Sequence, residues 1–192
     1  MSLPMTYSFE TEEHASLRMQ VRRFAEQHMA PYSHAWEEAE EFPRDLYAEA
    51  AAAGVLGVSY PEEFGGAGGD LTHGIVAGDA LVYYGRSVGT AGSLGSHAIA
   101  LPLILNMGTA AQKRTFVPPV LHGRHIASLA ISEPGAGSDV ANLSTRATLD
   151  GDHYVVNGSK IFITSGCRAD IFVVAVRTNP DPTARHLGLS LL

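Results

Sequence analysis

Cysteine is nearly absent: Cys167 is the single one in 192 residues, so neither an intrachain disulfide nor a cysteine-based zinc set is available. That usage fits a reducing, cytoplasmic compartment. Charge is sparse as well, at 17% of residues, and Lys and Arg number 13 against 20 Asp and Glu, a formal −7. The basic residues never cluster, which argues against a nucleic-acid or anionic-membrane surface. The longest unbroken apolar stretches, 98–105 and 171–176, fall short of the ~18 residues of a spanning helix. The N-terminus carries Glu10, Glu12 and Glu13 where a secretory signal needs a basic segment followed by an apolar one. No Walker A sequence occurs, and a dinucleotide GxGxxG beginning at Gly135 fails at Val140. Nucleotide-fold signatures of the usual kind are therefore missing.

What remains is a chain whose period changes near residue 124. Before that point Leu17, Val21, Phe24, Ala25 and Met29 recur on one helical face and Pro31 follows where the helix should stop. Pro43 opens a second helix through Leu46, Tyr47 and Ala50, with Gly54 placed to cap it. Further helices are expected over 72–84 and 90–106, and Thr109 reads as the N-cap of a short one ending before Pro118. After residue 124, β-branched and aromatic runs alternate with turn residues, predicting strands over 125–132, 143–149, 153–156, 160–164, 171–177 and from 187 onward. Asn157-Gly158 between two such runs predicts a type I′ hairpin. The fold class expected is α+β: an all-helical domain over 1–124, then a β domain over 125–192. The apolar run Leu187-Gly188-Leu189-Ser190-Leu191-Leu192 stops without a polar tail, so more chain is expected to complete the β domain.

Two segments stand out chemically. Ser132-Glu133-Pro134-Gly135-Ala136-Gly137-Ser138-Asp139 follows an apolar strand. Gly135 and Gly137 let backbone N–H groups come close to a ligand, and Ser132 and Ser138 add hydroxyls. Taken alone, it reads first as a turn connecting strands. In Asn157-Gly158-Ser159-Lys160-Ile161-Phe162-Ile163-Thr164, strand alternation puts Phe162 and Thr164 on one face, a ring and a hydroxyl side by side. As an isolated observation, core packing is the favoured explanation of that pair over a planar ligand.

Together, in this order and at about twenty residues' spacing, the two segments resemble the signature of the acyl-CoA dehydrogenase family of flavoproteins. The likeness extends to Ala30-Pro31-Tyr32, to Pro61-Glu62-Glu63-Phe64-Gly65-Gly66 and to Gly108-Thr109-Ala110-Ala111-Gln112-Lys113. The resemblance implies an N-terminal helical domain, a middle β-barrel domain present here only in part, and a C-terminal four-helix domain beyond residue 192. It implies FAD contacts at Leu129, Ile131, Ser132, Gly137 and Ser138 and at Phe162, Ile163 and Thr164. Thr164 would bring its hydroxyl near flavin N5 and Phe162 would pack on the isoalloxazine. Many family members have Trp where this chain has Phe162. Ser138 also matches a serine that touches the pantetheine arm of acyl-CoA. The implied reaction is α,β-dehydrogenation of an acyl-CoA thioester, with electrons passed to an electron-transfer flavoprotein. A homotetramer or homodimer is implied, in the cytoplasm or, in a eukaryote, the mitochondrial matrix.

Glu133 is the tempting base on position alone. The resemblance instead places the catalytic carboxylate beyond residue 192, so no catalytic residue is assigned within the chain. An acyl-CoA oxidase or flavin monooxygenase shares both segments, and a non-catalytic fragment is the reading from outside enzymology. His122 and His125 are three apart, but Gly123 breaks the helix that would align them on a metal. Ser93, in Ala91-Gly92-Ser93-Leu94-Gly95, loosely imitates a nucleophile elbow without the preceding strand. Cys167 has only Arg168 beside it and reads as an incidental thiol.

Overall fold

A computed structural model describes residues 6–192. Two compact units emerge, one made of the chain up to Gly95 with Ile104–His125, the other of Ser96–Leu103 with Ile126–Leu192.

The first unit is helical. α1 (Glu12–His28) buries Val21, Phe24, Ala25 and the following Met29, as its 3.6-residue period requires. The same face continues through two polar residues, His14 and Arg18, rather than Leu17. Arg18 is tolerated there because Glu10 and Asp79 both pair with it. α2 (Ser33–Ala39) was not evident from periodicity; α3 (Asp45–Ala52) follows Pro43 and ends before Gly54, whose φ of +72° closes the helix. α4 (Leu71–Gly85) starts at Asp70, whose carboxylate accepts from the amides of Thr72 and His73, at 2.9 and 3.2 Å. It lies along α1, with Val76 and Ala80 fully buried.

The helix expected over 90–106 is two: α5 (Val88–Leu94) and α6 (His97–Met107), divided by a turn at Gly95 and Ser96. Val88–Met107 is a 20-residue stretch long and apolar enough, by length and composition only, to cross a membrane, although it contains no unbroken apolar run of that length. The turn interrupts it, and 39% of its apolar window is buried. α7 (Ala110–Leu121) begins on the expected Thr109, which accepts from the Gln112 amide at 3.2 Å while Gln112 Oε1 accepts from the Thr109 amide at 2.8 Å. It does not end before Pro118 but runs through Pro118 and Pro119. The carbonyls these prolines leave without donors are those of Arg114 and Thr115, both exposed, where water can take them.

The second unit carries five strands: β1 (Ala127–Ala130), β2 (Arg146–Asp150), β3 (His153–Asn157), β4 (Ile171–Arg177) and β5 (Leu189–Leu191). The sheet order is β1-β4-β2-β3, with β5 also on β4. β1 runs parallel to β4 from Ala127↔Ile171 to Ala130↔Val174, and β5 runs antiparallel to it. Ala136, Leu143 and Ala175 form a small core, with Ile131 and Leu189 packed against it. Two expectations are corrected. The tight turn between antiparallel strands is at Gly151 and Asp152, joining β2 to β3, not at Asn157-Gly158. Residues 160–164 form no strand, because Phe162 and then Ser165 take left-handed backbone, with φ of +54° and +61°.

Candidate functional site

The two motif segments, far apart in sequence, are fastened together in the second unit. The Ile161 amide donates to the Ser132 carbonyl at 2.9 Å. Ser128 Oγ, fully buried on β1, donates to the Thr164 carbonyl at 2.5 Å. Lys160 Nζ donates to the Ile131 carbonyl at 2.9 Å. The first segment leaves β1 and folds back on itself, Glu133 and Ala136 exchanging backbone hydrogen bonds of 2.9 and 3.1 Å around Pro134 and Gly135. A Cβ at Gly135 or Gly137 would meet nothing within 4 Å, so this turn is open to an approaching group.

Each residue singled out from the sequence now has a place. Gly137, Ser138 and Thr164 are exposed; Leu129, Ile131, Ser132 and Ile163 are half-buried. Ile131 turns its side chain into the small core, and its carbonyl is taken by Lys160. Phe162 is the most telling: its ring is 93% exposed on left-handed backbone. A large apolar ring in water, held on a backbone that L residues avoid, marks Phe162 as a candidate contact residue. The expected common face of Phe162 and Thr164 rested on strand alternation, and with no strand at 160–164 that argument lapses.

Glu133 lies between the segments and is 4% exposed. Its carboxylate accepts from the amide and hydroxyl of Ser144, both at 2.7 Å, from the Thr145 amide at 2.9 Å and from Lys160 Nζ at 2.8 Å. Burial pushes its pKa up, but the hydrogen bonds from Lys160, Thr145 and Ser144 outweigh that and hold it well below the usual carboxylate range. Four donors leave no lone pair for a substrate proton. Glu133 is therefore part of the scaffold.

The model of the acyl-CoA dehydrogenase N-terminal domain matches residues 11–124, and that of the acyl-CoA dehydrogenase middle domain matches residues 128–192. The chain belongs to the acyl-CoA dehydrogenase family. It is 38% identical over 181 residues to the mitochondrial long-chain specific acyl-CoA dehydrogenase of Rattus norvegicus, covering 94% of this chain and 42% of the relative. A probable acyl-CoA dehydrogenase from Mycobacterium abscessus superposes with a TM-score of 0.91 at 46% identity, over 96% of this chain and 48% of that one. The FAD complex of PigA superposes at 0.88 with 28% identity, over 97% and 48%. The chain thus spans about half the length of the relatives it matches.

For an acyl-CoA dehydrogenase family chain, one side-chain cluster was not anticipated. Ligand-type atoms of His14, Asp70 and His73 lie within 4.8 Å of one another. The two imidazoles stack at 4.2 Å, and each occupies the third position of its helix, taking the N-cap amide on Nδ1: Thr11 to His14 at 3.2 Å and Asp70 to His73 at 3.3 Å. The cluster serves as paired caps for α1 and α4. Thr-x-x-His and Asp-x-x-His are the sequence signals that would have found it. The weighed alternatives do not assemble. His122 turns its Nδ1 to Arg124 at 3.4 Å, Ser93 lies inside α5, and Cys167 is exposed in the turn after Ser165.

Proposed function

We propose that this protein is an FAD-dependent enzyme that removes hydrogen from the α and β carbons of an acyl-CoA thioester and passes the electrons to an electron-transfer flavoprotein. The observation that carries the reading is the exposed Phe162 ring, presented on left-handed backbone and fastened to the glycine-rich turn. Bound flavin supplies the two-electron acceptor this chemistry requires. The residues fit it by type: Phe162 offers a flat apolar face, Thr164 a hydroxyl, and Ser132, Gly137 and Ser138 a polar and uncrowded turn. Leu129, Ile131 and Ile163 contribute peptide groups and apolar edge. Ser138, exposed at the turn, also meets the pantetheine arm.

The thioester's α-proton needs a base with a free lone pair and a pKa near the working pH. Glu133 has neither, so it is not the carboxylate that takes the proton. The assembly is a homodimer or homotetramer, and the setting is the cytoplasm or the mitochondrial matrix.

The test is anaerobic addition of acyl-CoA to the purified gene product, followed by its visible absorbance. Bleaching of the flavin bands, with slow reoxidation in air and fast reoxidation by an electron-transfer flavoprotein, is the expected result. Rapid peroxide formation in air would replace the dehydrogenase reading with an oxidase one. A protein that takes up no FAD would end both.

A further inference from the structure

The two motif segments contain residues that no ligand reading uses: Glu133, Gly158 and Lys160. The structure joins them. Lys160 Nζ bridges the Glu133 carboxylate and the Ile131 carbonyl, at 2.8 and 2.9 Å, and the side chains of the pair are 12% and 2% exposed. The other two sides of Glu133 are taken by Ser144 and Thr145. Gly158 lies so close to Thr145 that an added Cβ would stand 2.4 Å from its Oγ1 and 2.7 Å from its Cα. The chain therefore passes from β3 over Thr145, down to Glu133 through Lys160, and reaches Phe162 two residues later.

A buried ion pair is poor at adding net stability, because desolvating both charges offsets their attraction, but it defines one geometry sharply. What this pair defines is the separation between the Gly135–Gly137 turn and the Phe162–Thr164 turn. We propose that Glu133 and Lys160 are the positioning pair of the flavin site, holding its two walls at the spacing that accepts the ring system. The proposal rests on the flavin reading above.

The experiment uses the purified gene product and titrates FAD into the flavin-free protein, alongside its thermal melt. Lys160→Met weakens FAD binding at least ten-fold, and Lys160→Arg, which keeps a charged donor, recovers most of the loss. Glu133→Gln weakens binding comparably and lowers the melting temperature, because the Lys160 ammonium is left buried without its counter-charge. The double variant Glu133→Gln/Lys160→Met leaves no unpaired charge. It regains melting temperature but not FAD affinity, since the Ile161–Ser132 and Ser128–Thr164 hydrogen bonds that remain between the walls fix their spacing less tightly than the ion pair did. If the single variants do not fold, the double variant alone decides. Affinity within three-fold of wild type in Lys160→Met, or affinity that returns together with melting temperature in the double variant, overturns the positioning role. Wild-type protein that binds no FAD overturns the flavin reading itself, and the pair's role with it.

Discussion

Phe162→Gly separates stability from binding at one position. The Phe162 ring is 93% exposed and its φ is +54°. An exposed ring contributes little to folding, whereas left-handed backbone costs an L residue about 1–2 kcal/mol. Glycine removes that cost and adds back about 0.5–1 kcal/mol of chain entropy. The flavin-free variant should therefore be more stable by up to about 1.5 kcal/mol, a rise of up to about 6 °C in melting temperature for a chain of this size. FAD binding moves the other way: losing the ring's stacking, worth about 0.5–1.5 kcal/mol beyond area burial, weakens it about two- to twelve-fold. Phe162→Ala is the control, since it removes the ring and keeps the strained backbone. It should lose the same affinity without the gain in stability. The assays are thermal melts of flavin-free protein and equilibrium FAD titration. A melting temperature lower in the glycine variant than in the alanine variant would show that the left-handed turn is not strained. Unchanged FAD affinity in both would show that the ring is not a ligand platform.

Glu133 predicts an acid dependence. Its folded pKa is depressed, so the stability it contributes is present above the unfolded value of about 4.3 and is lost progressively as pH falls below that toward the folded value. The difference in urea stability between wild type and Glu133→Gln should shrink between pH 7 and pH 3; a constant difference would mean that the carboxylate is not linked to folding. Two glycine replacements in the first unit should have opposite signs. At Gly66 a Cβ would stand 2.0 Å from the Tyr60 carbonyl oxygen, a backbone clash, and Gly66→Ala should cost at least the ~1–3 kcal/mol of ordinary overpacking. At Gly78 in α4 nothing lies within 4 Å, and Gly78→Ala should gain about 0.5–1 kcal/mol; urea melts showing the same sign for both would refute the packing account.

The parts of the fold legible in the sequence are those set by local chemistry. The buried face of α1, the Thr109 cap with Gln112, and the glycine after α3 each follow from residues within a few positions of one another. What was not legible is set at a distance. Residues 160–164 alternate like a strand, yet Lys160 is committed to Glu133 and Ile131, Ile161 to Ser132, and Thr164 to Ser128. Two of those bonds take backbone groups that a ladder would have used, the Ile161 amide and the Thr164 carbonyl, and the chain turns left-handed at Phe162 instead. Asn157-Gly158 has the composition of a hairpin turn, but its glycine is required for a different reason, the close pass over Thr145. Gly151-Asp152 makes the actual turn between β2 and β3. In the helical unit, exposed carbonyls let α7 continue through two prolines that a propensity argument treats as a stop.

The site was legible as a pair of motifs, and the structure divides each motif by task. In the first, Ser132, Gly137 and Ser138 are accessible while Glu133 is sealed; in the second, Phe162 and Thr164 are accessible while Lys160 is largely buried. Position along the chain gives no hint of that division, since Glu133 directly follows Ser132 and Lys160 is two residues from Phe162. The turn after β1 produces it. Backbone exchange between Glu133 and Ala136 reverses the chain there, and Ser144 and Thr145 supply the donors that a buried carboxylate needs. A carboxylate in that setting gives rigidity, because a displacement of the turn breaks charge-assisted hydrogen bonds to a buried carboxylate. Proton abstraction asks the reverse of a carboxylate: an open lone pair, and a pKa near that of the working solution. Glu133, with all four acceptor positions filled, is built for the frame and not for proton abstraction.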